Sequence, residues 1–378
     1  MTDVSDRVLT PGTEDELAAM VAEAHSTRTR LQIRGGGTRD YGNPVRADAV
    51  VDMTGLSGIT LYDPGALTLV AQAGTPLAEI ERALAAEGQM LPFEPMDHRG
   101  ILGTTGTPTI GGVVATNASG PRRLKVGACR DSLIGVRFVT GEGHAIKNGG
   151  RVMKNVTGYD LVKLMAGSFG TLGVMSEVSF KVLPRPQSVA TLVWSGLDDV
   201  AAVDLLAAAM RSPYDVSGAA HDPATGQTSV RLEGLEQSVA YRAQALARDL
   251  RARGDARIVE NADENQALWA NLRDVTALGS GAGDIWRVSV KPSDGPKVVA
   301  AAGAEAALYD WQGGLVWLRM AQGTPLRERI AEFSGHTTLI RGTDQRAFQP
   351  EPMPIARLSQ GLRAQFDPRG ILNSGKMI

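Results

Sequence analysis

Cysteine is almost absent from this sequence of 378 residues, in which Cys129 is the single example. A lone thiol excludes an internal disulfide and cannot by itself hold an iron–sulfur cluster. An excess of one charge sign is also lacking, since 39 Lys and Arg residues stand against 41 Asp and Glu residues, a formal net charge of −2. This balance predicts no nucleic-acid partner and no general attraction to an anionic membrane.

Long apolar runs are missing as well. No stretch approaches the roughly 20 apolar residues that a membrane-spanning helix needs, so no direct membrane span is predicted. Residues 1–10 carry acidic and basic side chains and lack the apolar centre of a secretory signal. A cytoplasmic location is therefore the expectation.

Three familiar site motifs are absent too. There is no G-x-x-x-x-G-K-[ST] phosphate loop, and no G-x-G-x-x-G segment lies between a predicted strand and a predicted helix. Kinase-like NTPases and standard nicotinamide sites are thereby excluded. No histidine pair has zinc-ligand spacing, so no metal site is predicted. His98 lies in a polar, glycine-flanked segment, for which an exposed loop is the expectation.

Glycine, by contrast, is concentrated in three clusters, at residues 34–39, 107–117 and 167–174. Glycine allows positive φ and lets backbone N–H groups approach an anion closely. Two such loops, far apart in sequence, can close on the two ends of one long phosphorylated ligand. The third cluster favours a nucleotide cofactor over a lone phosphate.

The tripeptide Pro184-Arg185-Pro186 is the best boundary signal. Two prolines disfavour helix and interrupt sheet pairing. Strand-like and helix-like segments alternate on both sides of it, and no internal repeat is evident. We therefore predict an α+β protein with domains at residues 1–186 and 187–378.

Several ordered motifs resemble one family. Residues 34–39 and 109–119 are similar to its pyrophosphate loop and second flavin loop, and residues 158–161 (GYDL) and 167–177 to a later stretch. Residues 366–376 resemble its D-P-x-G-[IVL]-[LF]-N-P-G-K ending, with Ser374 in place of proline. The chain thus resembles the FAD-binding family typified by vanillyl-alcohol oxidase and the FAD-linked 2-hydroxy-acid dehydrogenases.

The resemblance implies a two-part FAD-binding domain of the PCMH type over residues 1–186. A smaller FAD-linked-oxidase-like α+β domain would follow over residues 187–378, with its C-terminal segment returning to the first domain. Covalent-flavin relatives place a histidine in the first loop, whereas Thr38 and Arg39 follow the glycines here, so non-covalent FAD is expected. The residues that the resemblance implies for FAD binding are Arg34, Gly35, Gly36, Gly37, Thr38, Arg39, Thr107, Thr109, Gly111, Gly112, Thr116, Asn117, Ser119, Gly170, Thr171, Gly173 and Val174.

Within the family, residues 74–77, 88–92, 120–123 and 152–156 are similar to the E-type FAD-binding subunits of glycolate oxidase. That similarity implies oxidation of glycolate, or another small 2-hydroxy acid, with hydride passing to flavin N5; glycolate would yield glyoxylate. It also implies work beside a second flavoprotein subunit and an iron–sulfur subunit. The location would be cytoplasmic, or peripheral at the inner membrane through those partners.

Four residues are candidates for catalysis. Arg122 and Arg123 follow the second glycine loop, where guanidinium groups can hold a carboxylate bidentately, although a solvated pair is a common alternative. Tyr159 and Lys154 are candidates for positions near the flavin.

Three alternatives stay open. The H-x-G-D-G-N-x-H motif of the dehydrogenase relatives does not occur in the second domain. This favours a flavin electron-transfer subunit without substrate chemistry over a 2-hydroxy-acid dehydrogenase that acts alone. A scaffold that has lost FAD is the third alternative, and the intact glycine loops argue against it.

Overall fold

A computed structural model describes residues 7–150, 158–330, 333–342 and 345–377. The strands of the first half are β1 (Val8–Leu9), β2 (Leu31–Arg34), β3 (Ala49–Asp52), β4 (Ile59–Asp63), β5 (Thr68–Gln72), β6 (Gln89–Met90), β7 (Leu133–Val139), β8 (Ala145–Gly149), β9 (Val174–Lys181) and β10 (Leu183–Pro184). Its helices are α1 (Glu14–Thr27), α2 (Leu77–Ala86), α3 (Arg99–Leu102), α4 (Ile110–Ala115), α5 (Arg123–Val126), α6 (Cys129–Ser132) and α7 (Leu161–Met165).

The second half continues the numbering. Its strands are β11 (Ser188–Ser195), β12 (Val216–Asp222), β13 (Gln227–Gly234), β14 (Arg257–Val259), β15 (Asp284–Val290), β16 (Ala306–Asp310), β17 (Leu315–Met320) and β18 (Gly335–Arg341). Its helices are α8 (Asp199–Met210), α9 (Glu236–Asp249), α10 (Ala262–Arg273), α11 (Thr276–Gly279), α12 (Gly295–Ala302), α13 (Leu326–Arg329) and α14 (Met353–Phe366).

Local sequence signals explain where α1 begins and which side it buries. The side chain of Thr13 accepts a hydrogen bond from the N–H of Glu16 at 3.2 Å, as expected for an N-cap. Leu17, Val21 and Ala24 fall on one face and are buried. Helix spacing of apolar residues thus turns directly into packing against the sheets.

Two sheets of different kinds build the first half. β1, β3 and β2 form a parallel sheet, and β4, β5, β9, β7 and β8 form an antiparallel one in that order. One apolar core joins them, because Val51 of the small sheet and Val139 and Val174 of the larger sheet belong to the same buried cluster. The space between the two sheets is where the three glycine clusters meet.

The C-terminal segment returns to the first half. The N–H of Leu31 donates to the carbonyl of Ile371 at 2.7 Å, and the N–H of Asn373 donates to the carbonyl of Leu31 at 2.9 Å. Leu31 and Leu372 form a parallel bridge beside β2. Residues from the far end of the chain therefore complete the sheet that carries the first glycine loop.

The second half contains one antiparallel sheet in the order β14-β11-β13-β12-β16-β17-β15-β18. Its element order, strand–helix–strand–strand–helix–strand, occurs twice, once from β11 to β14 and once from β15 to β18. Such βαββαβ units are ferredoxin-like. The sequence shows no repeat because only the topology recurs; the two units share the sheet through the pairing of β12 with β16.

The strand pairing suggests where the chain divides. β10 pairs with β6 of the first half, whereas β11, which begins at Ser188, belongs to the second sheet. Pro186 lies between these two strands. We place the division of the chain there, and a core that includes Tyr41, Ile101, Ile285 and Trp317 joins the two halves.

Candidate functional site

A cavity of about 360 Å³ lies where the glycine clusters meet. It is lined by Gln32, Ile33, Arg34, Gly35, Gly36, Gly37, Thr38, Arg39, Asp40, Val45, Met53, Ala73, Thr109, Gly111, Gly112, Ala115, Thr116, Phe169, Gly170, Gly173, Met175, Asn373 and Lys376. The lining comes from β2 and the loop after it, from the start of α4, from the segment before β9 and from the C-terminus.

The first two glycine loops touch through their backbones. A Cβ atom on Gly36 would lie 1.6 Å from the carbonyl oxygen of Thr107, and one on Gly106 would lie 1.7 Å from the carbonyl oxygen of Gly36. A Cβ on Gly35 would lie 2.4 Å from Oγ1 of Thr109. Side chains cannot occupy these positions, so glycine is required for the loops to close on each other.

The same loop offers N–H groups to a ligand. No hydrogen bond joins the backbone N–H groups of Gly36, Gly37 or Thr38 to another described residue. Gly37 has a φ of 68°, and a Cβ there would have nothing within 4 Å. Successive N–H groups in such a turn form a concave anion-binding surface.

Arg39 brings positive charge to the cavity. Its guanidinium donates to the carbonyl of Met96 at 2.9 Å and to Oγ1 of Thr38 at 3.3 Å, and its buried Nε has no hydrogen-bond partner among the described residues. No ion pair joins it to a carboxylate in that part of the chain. Burial lowers the pKa of Arg39. An uncompensated buried cation beside unused N–H groups favours an anionic ligand.

Asn373 connects the strand before the first glycine loop to the third glycine cluster by two hydrogen bonds. Its Oδ1 accepts from the N–H of Ile33 at 2.8 Å, and its Nδ2 donates to the carbonyl of Phe169 at 2.7 Å. Lys376 follows, with its Nζ donating to Oδ1 of Asp40 at 2.9 Å. The C-terminal N-x-G-K motif is thus the sequence signal for the lining residues that glycine patterns alone miss.

The cavity has the two chemical parts that FAD needs. One part is the glycine cradle, formed by the loop of residues 35–38 together with Arg39, and it suits a pyrophosphate. The other is an apolar wall, which suits a flat ring system; its residues are Val45, Met53, Ala73, Ala115, Phe169 and Met175. No histidine lines the cavity among the described residues. Non-covalent binding of FAD stays a prediction.

Most of the FAD-binding residues expected from the sequence line the cavity, and five do not. Thr107 supports the loop contact, and Asn117 accepts from the N–H of Arg130 at 3.0 Å. Ser119 accepts from the N–H of Cys129 at 2.9 Å, and Thr171 donates to the carbonyl of Ser168 at 2.7 Å. Val174 belongs to the core between the sheets. These five residues shape the loops and do not face the cavity.

Arg122 lies in a buried ion-pair network. Its Nε and Nη2 donate to the two carboxylate oxygens of Glu233 at 3.0 and 2.8 Å, and Nη2 lies 3.1 Å from Oε1 of Glu94. Arg231 donates to the same Glu94 at 2.9 and 2.8 Å. The expected alternative of a solvated pair is wrong for Arg122, and these contacts favour a structural role.

The other catalytic candidates are Arg123, Tyr159 and Lys154. Arg123 stacks over Trp311, with its Cζ 4.3 Å from the ring centroid. Tyr159 is 89% exposed and does not line the cavity. Lys154 lies outside the described residues. Among the described residues, the structure therefore does not bring Arg122, Arg123 and Tyr159 together as one site.

The expectation of an exposed loop for His98 is wrong. Only 4% of the residue is exposed, and its ring stacks on Tyr41 with centroids 5.3 Å apart. Burial, helped by the charge of Arg39, lowers the pKa of His98 to about 3. Its ring is therefore neutral at physiological pH.

The two-sheet first half, the glycine cradle and the cavity between the sheets define a FAD-binding domain of the PCMH type. A family model described as a FAD binding domain matches residues 5–149. Solved structures of alkyldihydroxyacetonephosphate synthase share the fold: one gives a TM-score of 0.73 at 18% identity, over 98% of this chain and 77% of that chain.

Curated relatives identify the family more closely. The chain is 38% identical to glycolate oxidase subunit GlcE of Escherichia coli (strain K12), over 96% of this chain and 96% of the relative. It is 32% identical to subunit GlcD of Bacillus subtilis (strain 168), over 61% of this chain and 46% of the relative. The chain belongs to the GlcE family of glycolate oxidase subunits. Both relatives are named as subunits, so the family works with partner subunits.

The described residues contain neither a membrane-spanning helix nor a metal-binding cluster. None of the helices there has the length and apolar character to cross a bilayer. No group of three or more His, Cys, Asp or Glu side chains in the same residues is arranged to hold a metal ion.

Proposed function

We propose that this chain is the FAD-binding subunit of a glycolate oxidase or dehydrogenase complex, which oxidises glycolate or a similar 2-hydroxy acid. The similarity to GlcE over almost the full length of both chains carries the proposal. The chemistry that FAD supplies when bound is acceptance of the hydride from the substrate carbon. Glycolate would thereby become glyoxylate.

The residues of this chain then bind and orient. The N–H groups of Gly36, Gly37 and Thr38 would hold the pyrophosphate, with Arg39 balancing its charge. Asn373 would keep the first loop and the Phe169 segment at a fixed separation. Preorganised donors of this kind cost no rearrangement when the ligand arrives.

Partner subunits of two kinds belong to the proposal, a larger flavoprotein subunit and an iron–sulfur subunit. The single cysteine supports the second kind, because electrons that reach this flavin need clusters housed in another chain to leave. A cytoplasmic position, or attachment to the inner membrane through those partners, completes the proposal.

The test compares the purified chain with the chain co-expressed with both partner subunits. We expect acid precipitation to release a yellow cofactor into the supernatant. We expect glycolate to bleach the flavin absorbance of the assembled complex under anaerobic conditions. Flavin that stays in the pellet contradicts non-covalent binding. A complex that holds flavin and is not bleached by glycolate contradicts the proposed substrate.

The same preparation separates the remaining roles. Dye-linked glycolate oxidation by the isolated chain, at the rate of the complex, would identify a dehydrogenase that acts alone. A chain that is required for turnover of the complex, while its own flavin is reduced only through the partner, would be an electron-transfer subunit.

A further inference from the structure

Two arginines from different halves of the chain meet on one tryptophan. Arg123 begins α5 in the first half, and Arg287 lies in the middle of β15 in the second. The Cζ atoms of Arg123 and Arg287 lie 4.3 and 5.2 Å from the ring centroid of Trp311. Cation–π contacts of this length orient a guanidinium but do not neutralise its charge.

Neither guanidinium has a carboxylate partner. Among the described residues, no hydrogen bond or ion pair involves the side chain of Arg123 or Arg287, whereas neighbouring Arg122 is saturated by Glu94 and Glu233. Burial lowers the pKa of Arg123, and burial lowers the pKa of Arg287 to about 10. Two like charges held together without a counterion are unfavourable unless an anion joins them.

The groups around the pair do not supply that anion. His336 of β18 has its pKa lowered by burial and by the charges of Arg287 and Arg123, so its ring is neutral. Two acidic groups act on the pair without an ion pair to either arginine: Asp131, near Arg123, accepts from the N–H of Ala128 at 2.8 Å, and Asp310, near Arg287, accepts from the N–H of Trp311 at 2.7 Å. Burial raises the pKa of Asp310 to about 7, so this carboxyl is a weak counterion at neutral pH.

Neither arginine lines the cavity, but Trp311 and Tyr41 belong to one buried cluster, and the cavity-lining Phe169 packs against that cluster. Tyr41 packs edge-on against the cavity-lining Phe169, with ring centroids 5.4 Å apart. The charges of Arg287 and Arg39 both lower the pKa of Tyr41, although burial raises it overall. The arginine pair therefore lies at the apolar cluster that packs against Phe169 of the cavity wall.

We propose that Arg123 and Arg287, stacked on Trp311, form the subsite that binds the carboxylate of the 2-hydroxy acid. This inference rests on the proposed function, because it gives that substrate its place. Guanidinium groups suit the task, since each can donate two parallel hydrogen bonds to a carboxylate. The indole of Trp311 provides an apolar surface beside the two guanidinium groups, against which the short carbon chain of a two-carbon acid would pack.

The test measures binding of oxalate, an unreactive two-carbon carboxylate, to the assembled complex by calorimetry. Arg287→Gln and Arg123→Gln should each raise the Kd for oxalate at least tenfold and raise KM for glycolate. Arg287→Lys should lose less, because it keeps the charge. Arg257→Gln, an exposed arginine of β14 paired with Glu264, is the matched control and should change neither value.

A second readout separates this subsite from a structural role. Removing an unpaired buried charge should leave flavin content unchanged and leave Tm unchanged or higher. Arg287→Gln with wild-type oxalate affinity overturns the proposal, as does a variant that loses flavin and Tm together. If glycolate still bleaches the flavin and both variants bind oxalate as the wild type does, the subsite is disproved and the proposed substrate stands. If oxalate binding depends on Arg287 but glycolate does not bleach the flavin, the proposed substrate is disproved and the subsite stands.

Discussion

Gly36 and Gly37 are adjacent residues, yet the fold needs them for different reasons. At Gly36 the constraint is space, because an added Cβ would lie 1.6 Å from the carbonyl oxygen of Thr107. At Gly37 the constraint is conformation, since φ is 68° and an added Cβ would meet nothing within 4 Å. A clash with backbone cannot relax by rotating a side chain, whereas an alanine with positive φ costs only about 1 kcal/mol.

The two glycines therefore predict different outcomes for the same substitution. Gly36→Ala should separate the first two loops, lower Tm and abolish FAD retention. Gly37→Ala should keep FAD and lose about 1 kcal/mol of unfolding free energy, because it preserves the N–H group and strains only φ. Flavin absorbance after desalting, measured together with Tm of the same samples, tests this difference between the two variants. Equal flavin loss in both variants would contradict the distinction.

Helix α14 differs from α1 and α2 in what its apolar side contacts. Leu77, Ile80 and Leu84 of α2 are buried, as their helical spacing predicts. Ile355, Leu358 and Leu362 of α14 have the same kind of spacing but are 48%, 67% and 41% exposed, and no residue of α14 is buried. An exposed apolar stripe on a subunit of a complex favours contact with a partner.

We predict that α14 contacts the larger flavoprotein subunit. Leu358→Lys combined with Leu362→Lys should reduce co-purification of that subunit at least tenfold while Tm of the isolated chain changes little, because no described residue of α14 is buried. Gln360→Lys, exposed on another side of the helix, is the control and should keep the partner. If the double variant co-purifies with the partner as fully as the wild type does, α14 is not part of the interface.

At the scale of the whole molecule, a buried network of four charges joins the two halves. Glu94 and Arg122 come from the first half, and Arg231 and Glu233 come from β13 of the second. Burial raises the pKa of Glu233, but the charges of Arg231 and Arg122 outweigh it and hold that pKa at about 2, below the ordinary value of 4.5. The carboxylates are therefore stabilised in the ionised form by folding.

This network predicts how stability depends on pH. A carboxyl whose pKa is lowered by folding stabilises the protein above its ordinary pKa, and that contribution is lost as pH falls from 4.5 towards 2. Tm should drop steeply across this range. Glu233→Gln should be less stable at pH 7, by about 3 kcal/mol, because Arg122 loses a buried partner.

The comparison of the two pH profiles is the check. In Glu233→Gln the drop between pH 4.5 and 2 should be smaller than in the wild type, since one of the titrating groups is gone. Parallel profiles for the two proteins would show that the network does not control acid stability.

The glycine loops and the apolar stripes of α1 and α2 follow from the sequence by itself, because each depends on neighbouring residues. Glycine clusters favour turns, and the apolar stripes of α1 and α2 are buried in the fold. Together with ordered motifs, these local signals were enough to predict an α+β flavin-binding fold and about half of the residues that line the cavity. The division of the chain near Pro186 stays a prediction.

Only the tertiary structure decided which distant residues pair with one another. Arg122 bonds to Glu233 across 111 residues, Arg231 to Glu94 across 137, and Ile33 to Asn373 across 340. An arginine beside a glycine loop has the same sequence pattern whether its partner is a ligand or a distant glutamate. The fold gave Arg122 two carboxylates and left Arg123 with Arg287 on one indole, because the charge of a buried group is compensated by whatever the two halves bring together.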